Sequence, residues 1–155
     1  MGTRSLTRVI STFKNESNNK VEKVHYLNMY RQYDGYPSGH GEELADFLKQ
    51  GKIVNGIGLT DTGLVFNGAG CLAAQLVAHF KDGAGGIYIE PISSKDCGQD
   101  YDYEVIVDFD TKELTMKCFE VGYINKKGEY KNGKKLIFDG KPSDFEHFLE
   151  ELEKI

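Results

Sequence analysis

The chain begins with two strand-like runs that are separated by a short polar cluster. Because the cluster is short, the two runs are expected to pair directly with each other. Residues 6–13 (LTRVISTF) are rich in β-branched and aromatic side chains, and a second run of this kind covers residues 21–33. The cluster NESNN at residues 15–19 is typical of a turn. The pattern predicts an N-terminal antiparallel hairpin, onto which any larger sheet in this protein has to be built.

Three helices and four more strands are predicted after this hairpin. The helices are predicted at residues 42–50, 69–81 and 142–155. The second helix is expected to be buried because it is apolar on most faces, and Ser143 and Glu146 are expected to form a capping box for the third. The further strands are predicted at residues 87–90, 103–109, 113–121 and 136–138.

Two segments have weaker patterns. Residues 52–68 are rich in Gly, Asn and Thr and are predicted to be irregular, whereas the charged residues 124–135 are predicted to be an exposed hairpin tip. The order of elements predicts one α+β domain over residues 1–155, with a largely antiparallel sheet and about three helices packed on it.

Composition limits the classes of function. The chain has a net charge of −5 and a pI of about 5.4, which disfavours binding to polymeric nucleic acid. Its three cysteines do not have the spacing of a disulfide framework, so a reducing, cytoplasmic location is expected. No apolar run approaches the roughly 18 residues that span a bilayer, and no membrane association is expected.

The segment YRQYDGYPSGHG at residues 30–41 is the predicted binding site. It combines aromatic, basic and glycine residues between a strand and a helix, where a structural loop usually has Ser, Asn and Lys. Arginines suit an anion, tyrosines suit a ring, and glycines let a ligand approach backbone N–H groups. Asp34 is expected to hold the loop or to bind a hydroxyl group. The candidate ligand-binding residues are Arg4, Arg31, Tyr33, Asp34, Gly35, Tyr36, Gly39, His40 and Gly41.

A purely structural interpretation of this loop stays open. Asp34 and Tyr36 would then satisfy hydrogen bonds of a hairpin-to-helix turn. Glu42 and Glu43 disfavour a highly charged phosphate at the helix start, since they already interact with the helix dipole. No HExxH or CxxC spacing occurs, so no metal site is predicted. No Ser-His-Asp order with a nucleophile-elbow sequence occurs, and no cofactor or catalytic residue is assigned.

Two stretches of the sequence resemble a family of small phage, bacterial and fungal proteins whose activity is not established. These stretches are MGTRSLT at residues 1–7 and YRQYDGYPSGHGEELADFL at residues 30–48. Members of that family begin with MGTR and have a Gln-Tyr/Trp-Asp-Gly-Tyr-Pro motif followed by two spaced glycines. The segments NGAGCLAAQL and YDYEVIVD resemble its phage and bacterial branch. The fungal pattern has Trp at the place of Tyr33, a difference that keeps an aromatic platform.

The resemblance implies that the start of the chain and the loop meet in space and build one pocket. Arg4 would then reach Asp34 or share a ligand with Arg31. Phages also encode small proteins that sequester nucleotide immune signals. This implies a phage protein that counters host defence by such sequestration.

Three hypotheses about function follow. The leading one is a noncatalytic protein that binds a small anionic, nucleotide-like molecule, with a homodimer expected where the pocket needs a second wall. The second is a hydrolase of a small amide or phosphate linkage that uses Thr3 or His40, and Thr3 requires removal of Met1 and Gly2. The third is an inhibitor that contacts a host defence protein through residues 124–135.

Overall fold

The computed structural model describes residues 2–154, so the predicted events at Met1 and the predicted helical position of Ile155 lie outside the described residues. Eight strands are formed: β1 (Ser5–Lys14), β2 (Val21–Arg31), β3 (Gly51–Val54), β4 (Leu64–Asn67), β5 (Ile87–Ile89), β6 (Tyr101–Asp108), β7 (Leu114–Ile124) and β8 (Tyr130–Gly140). The helices are α1 (Glu42–Leu48), α2 (Gly68–Phe80) and α3 (Phe145–Glu153). None of these helices has the length and apolar content that crossing a membrane requires.

Six strands form one mixed sheet in the spatial order β5-β2-β1-β6-β7-β8. The pairs β1–β2 and β6–β7 are antiparallel neighbours, so both predicted hairpins are confirmed. Strands β1 and β6 are parallel, and every other pairing in this sheet is antiparallel. The single α+β domain with a largely antiparallel sheet is therefore the observed fold.

All three helices pack on one face of the sheet. Alternate side chains of β1 and β6, such as Val9 and Val105, point into the core beneath the helices. Helix α2 contacts β1 and β2 through residues spaced three or four apart, including Leu72 and Leu76, which are fully buried. Its opposite side, which includes His79, is exposed, so the expectation of a helix buried on most faces is wrong.

Residues 52–68, predicted to be irregular, contain two short strands. Strands β3 and β4 pair in parallel as a separate two-stranded sheet. Ile53 and Phe66 are buried in the same core as the helices. The prediction failed because runs of only four residues, flanked by glycine and asparagine, carry little periodicity.

The third helix begins later than predicted. Pro142 starts a short 3₁₀ turn, Pro142–Asp144, and the α-helix follows from Phe145. The Asp144 carboxylate accepts a hydrogen bond from the Lys141 N–H at 3.3 Å, and the predicted capping box of Ser143 and Glu146 does not form. Proline favours this tight first turn because its ring fixes φ.

Candidate functional site

The start of the chain and the loop after β2 lie against each other, as predicted, but residues 2–4 do not line the pocket described below. The Gly35 N–H donates a hydrogen bond to the Thr3 carbonyl at 2.9 Å. A Cβ on Gly2 would lie 2.6 Å from the Cβ of Tyr33, and one on Gly35 would lie 2.8 Å from the Arg4 carbonyl carbon. The two segments that the family resemblance marks therefore touch through their backbones.

The glycines of the loop are required for close packing. A Cβ on Gly39 would lie 2.5 Å from the Asp34 carbonyl oxygen, and one on Gly41 would lie 2.8 Å from the Phe145 ring. The loop also bends at Asp34, whose φ of 60° is in the left-handed region that Asp tolerates better than most residues. Larger side chains at these glycines would push the loop off the core.

The expectation that these glycines offer free backbone donors is wrong. The N–H groups of Gly39 and Gly41 both point to the Tyr36 carbonyl, at 2.9 and 3.5 Å, and that of Gly35 is bound to Thr3. Each of these N–H groups is therefore already hydrogen-bonded to a backbone carbonyl of the protein, as buried backbone groups usually are. The π-type turn Pro37–Gly41 then leads into α1, so the loop gives no open helix start for an anion.

His40 connects this loop to the sheet and is completely buried. Its Nδ1 lies 3.1 Å from Arg31 Nη1, and its Nε2 lies 2.7 Å from Thr7 Oγ1. Because a guanidinium has only donors, Nδ1 accepts from Arg31, and the proton is on Nε2, which donates to Thr7. The ring also packs against Phe80 and Tyr103, at centroid distances of 4.8 and 5.2 Å.

Burial, together with the neighbouring Arg31 charge, lowers the pKa of His40 from 6.5 to about 3. The imidazole is therefore neutral at physiological pH. Its hydrogen bond to Nη1 fixes the position of the Arg31 guanidinium. It has no exposed surface that could contact a ligand.

Arg31 is the charged centre of the site. It is 9% exposed, and its Nη1 donates to Glu43 Oε2 at 2.6 Å. A second carboxylate, that of Asp34, lies 3.9 Å from Nη2. Tyr33 and Phe80 flank the guanidinium, with ring centroids 6.0 and 5.8 Å from Cζ.

A small pocket opens above this arginine. It has a volume of about 210 Å³ and is lined by Arg31, Tyr33, Glu43, His79, Phe80, Gly86 and Ile87. We call it the Arg31 pocket. Tyr33 closes one side of the pocket because its hydroxyl packs against Gly86, 2.9 Å from where a Cβ of that residue would be. Half of the Tyr33 side chain remains exposed. Of the predicted residues, Arg31 and Tyr33 line this pocket directly.

Asp34 and Tyr36 lie at the outside of the loop. Tyr36 is 40% exposed, its hydroxyl is 3.5 Å from Asp34 Oδ1, and its ring would contact a Cβ on Gly39. This is the arrangement expected of a structural turn. Neither residue lines the Arg31 pocket.

Arg4 is directed elsewhere. Its backbone N–H donates to Asp100 Oδ2 at 3.0 Å, and its guanidinium lies beside Gly98, 3.3 Å from where a Cβ would be. Gly98 lines a groove on the face of the sheet opposite the helices. Arg4 is also absent from the lining of the Arg31 pocket, so the two arginines do not converge there as expected.

Several pocket residues carried no signal in the sequence. The sequence pattern predicts only that Phe80 is a core residue at the end of a helix. It predicts a turn at Gly86 and the start of a strand at Ile87. They reach the pocket because β5 pairs with the end of β2, with Ile87 opposite Arg31. Glu43 was recognisable only as an acidic residue in the first turn of a helix.

A scan against protein-family models finds no match to this chain, and searches of curated proteins and of solved structures find none either. Within residues 2–154, no group of three or more His, Cys, Asp and Glu side chains is arranged to hold a metal ion. The geometry of the Arg31 pocket is therefore the basis for a functional proposal.

Proposed function

We propose that this protein binds a small anionic, nucleotide-like molecule in the Arg31 pocket. The observation that carries the proposal is the Arg31 guanidinium, which is buried, flanked by two aromatic rings and directed at an open pocket. A guanidinium in this setting suits a phosphate or carboxylate, and the half-exposed Tyr33 ring offers a surface for stacking.

The size of the pocket limits how the ligand enters. Sites that enclose a whole small molecule usually have volumes of roughly 300–1,000 Å³, and the Arg31 pocket has about 210 Å³. One group of the ligand, its anionic group, therefore enters. The remainder lies outside, against Tyr33.

Glu43 determines which anions bind. Its carboxylate already neutralises Arg31 at 2.6 Å, so an incoming anion has to displace it. Glu43 is half exposed and is free to turn into solvent. A ligand with one anionic group at this end fits best, because a more highly charged group would be repelled by Asp34, whose carboxylate lies 3.9 Å from Arg31 Nη2.

Sequestration is the biological use that we propose for this binding, and it rests on the family resemblance. A protein that removes a nucleotide signal needs affinity without turnover. The form of the hydrolase alternative that uses His40 is weakened, because His40 is fully buried and burial lowers its pKa to about 3. It does not reach a substrate, and at neutral pH its imidazole is uncharged with its one proton donated to Thr7.

A protein partner is a second candidate, favoured by the projecting β7–β8 hairpin. Near its tip, Ile124 and Tyr130 are 59% and 64% exposed. Exposed aliphatic and aromatic side chains of this kind are common in the centre of interfaces. Replacing both by serine should abolish capture of a host defence protein and leave binding in the Arg31 pocket intact.

Titration calorimetry with a panel of mono- and cyclic nucleotides tests the small-molecule proposal. We expect one of them to bind, and Tyr33→Ala to weaken it by about tenfold, the loss of roughly 1.4 kcal/mol of stacking. Tyr36→Ala is the matched control, because this half-exposed tyrosine of the same loop does not line the pocket. Equal affinity of the Tyr33 variant and the parent would contradict the proposed site.

A further inference from the structure

The face of the sheet opposite the helices carries a second, larger cavity. It is a groove of about 970 Å³ between β6, the segment 92–100 and the β7–β8 hairpin. This volume lies at the upper end of the roughly 300–1,000 Å³ typical of small-molecule sites. Strand alternation places Arg8 and its β6 partner Glu104 on this face, because their neighbours Val9 and Val105 point into the core.

Buried charges form the floor of the groove. Asp102 is 1% exposed and Arg8 is 8% exposed. The Asp102 Oδ1 atom accepts a hydrogen bond from Gln99 Nε2 at 3.0 Å. Its Oδ2 atom lies 3.3 Å from Arg8 Nη1 and 3.1 Å from Lys134 Nζ. Charges are rarely buried this deeply in a small domain unless they are paired or functional.

Two atoms of this network are left unsatisfied. Asp102 Oδ2 and Arg8 Nη1 are buried and have no hydrogen-bond partner among residues 2–154. Asp102 Oδ2 lies close enough to attract both Arg8 Nη1 and Lys134 Nζ, but these contacts are not aligned as hydrogen bonds. The network is therefore held by charge attraction, and Lys134 is its most exposed member at the groove.

Both signs of charge line the groove. Its cations are Arg8, Lys95 and Lys134, and its carboxylates are Asp96, Asp100, Asp102 and Glu104. A simple anion would be repelled by the carboxylates and a simple cation by the arginine and the lysines. A molecule with one charge of each sign is attracted at both ends.

We infer that this groove is a binding site for a small zwitterion, an amino acid or a dipeptide. The ligand ammonium group lies between Asp102 and Glu104, and its carboxylate lies between Arg8 and Lys134. Lys134, whose side chain is 39% exposed, turns from Asp102 to the ligand carboxylate and so contributes a contact to the bound state. This site lies on the other face of the sheet from the Arg31 pocket and does not depend on the function proposed there.

An NMR titration of the ¹⁵N-labelled protein with pools of the common L-amino acids, followed by dipeptides, tests this inference. We expect amide shifts in residues 95–104 and 132–134, while residues 31–33 and 79–87 around the Arg31 pocket stay unchanged. N-acetylated and carboxamide forms of the same probe should each bind at least tenfold more weakly, because each lacks one charge.

Substitution of groove residues completes the test. Lys134→Gln and Glu104→Gln should each weaken binding at least tenfold, and both avoid the fully buried Asp102. Lys135→Gln is the matched control, since this neighbouring ammonium lies over Tyr123 instead. The inference is overturned if no probe shifts the groove amides at about 10 mM, enough to saturate a 1 mM site. It is also overturned if blocked forms bind equally well, or if Lys134→Gln binds like the parent.

Discussion

His40 joins the sheet to the loop after β2, since its two ring nitrogens contact Thr7 on β1 and Arg31 on β2. Its neutral form is required, because a protonated imidazole would be buried beside the Arg31 guanidinium. The same contacts fix the position of the guanidinium at the Arg31 pocket. His40 is thus a positioning residue.

The lowered pKa of His40 predicts a pH dependence of stability. Between pH 6.5 and about 3 the unfolded chain binds a proton on this residue that the folded chain does not bind. Stability should therefore fall as the pH decreases, by about 2 kcal/mol from pH 7 to pH 5. Urea unfolding at the two pH values measures this effect.

His40→Gln should reduce that pH dependence, and the exposed control His147→Gln should retain it. The amide of glutamine reproduces part of the bonding to Thr7 and Arg31 without titrating. An unchanged pH dependence in the His40 variant would show that other groups cause it.

Glu43 is the residue whose removal should strengthen ligand binding. Glu43→Gln leaves Arg31 without its close counter-charge, so affinity for inorganic phosphate or a mononucleotide should rise about tenfold, or roughly 1.4 kcal/mol. Calorimetry at low salt measures the change. Glu42→Gln is the control, because it removes the adjacent exposed carboxylate. If both variants or neither bind more tightly, displacement of Glu43 is not part of binding.

At the scale of elements, the loop after β2 is held by backbone contacts that only glycine permits. At Gly35 a Cβ would meet the backbone of Arg4 and Ser5 at 2.8 and 2.9 Å, and a strand backbone cannot shift easily. Gly35→Ala should therefore lower the free energy of unfolding by about 1–3 kcal/mol, as overpacking does.

Gly133→Ala is the control for this effect. Its Cβ would meet nothing within 4 Å, so stability should change little. Chemical denaturation of both variants measures the difference. A Gly35 variant as stable as the parent would contradict the role of close backbone packing in holding the loop.

The strands and helices were largely predictable from the sequence, and their exact ends were not. The hairpins of β1–β2 and β6–β7 follow from alternating apolar residues around polar turns, and that pattern is strong over eight or more residues. Strands β3 and β4 lack it, since four residues give only two positions on each face. The start of α3 depended on the turn that Pro142 adopts, which competes with the capping pattern.

At the scale of the whole molecule, the sheet separates two cavities, the Arg31 pocket and the groove. Ser5 lies opposite Arg31 in the β1–β2 pairing, so Arg31 shares the helical face with Ser5 and Thr7. Arg4 precedes Ser5 and turns its guanidinium to Gly98, beside the groove on the other face. Both arginines were expected near the same loop. Strand register, however, decides on which face of the sheet each side chain lies.

The pockets themselves were not predictable from the sequence. The Arg31 pocket needs Phe80 and Ile87, and the groove needs Asp102 and Lys134, which are distant in the chain from their partners Arg31 and Arg8. These contacts depend on which strands pair and in what register. The meeting of the chain start with the loop was predictable only through the family resemblance.

Native mass spectrometry of the protein purified from cells that produce nucleotide signals tests the central claim most directly. The account predicts an added mass of one small anionic molecule on the parent protein, released on heating as an intact nucleotide-like compound. The Tyr33→Ala variant should lose this mass, and the Tyr36→Ala variant should retain it. An unliganded parent protein, or a ligand retained equally by the Tyr33 variant, would contradict binding in the Arg31 pocket.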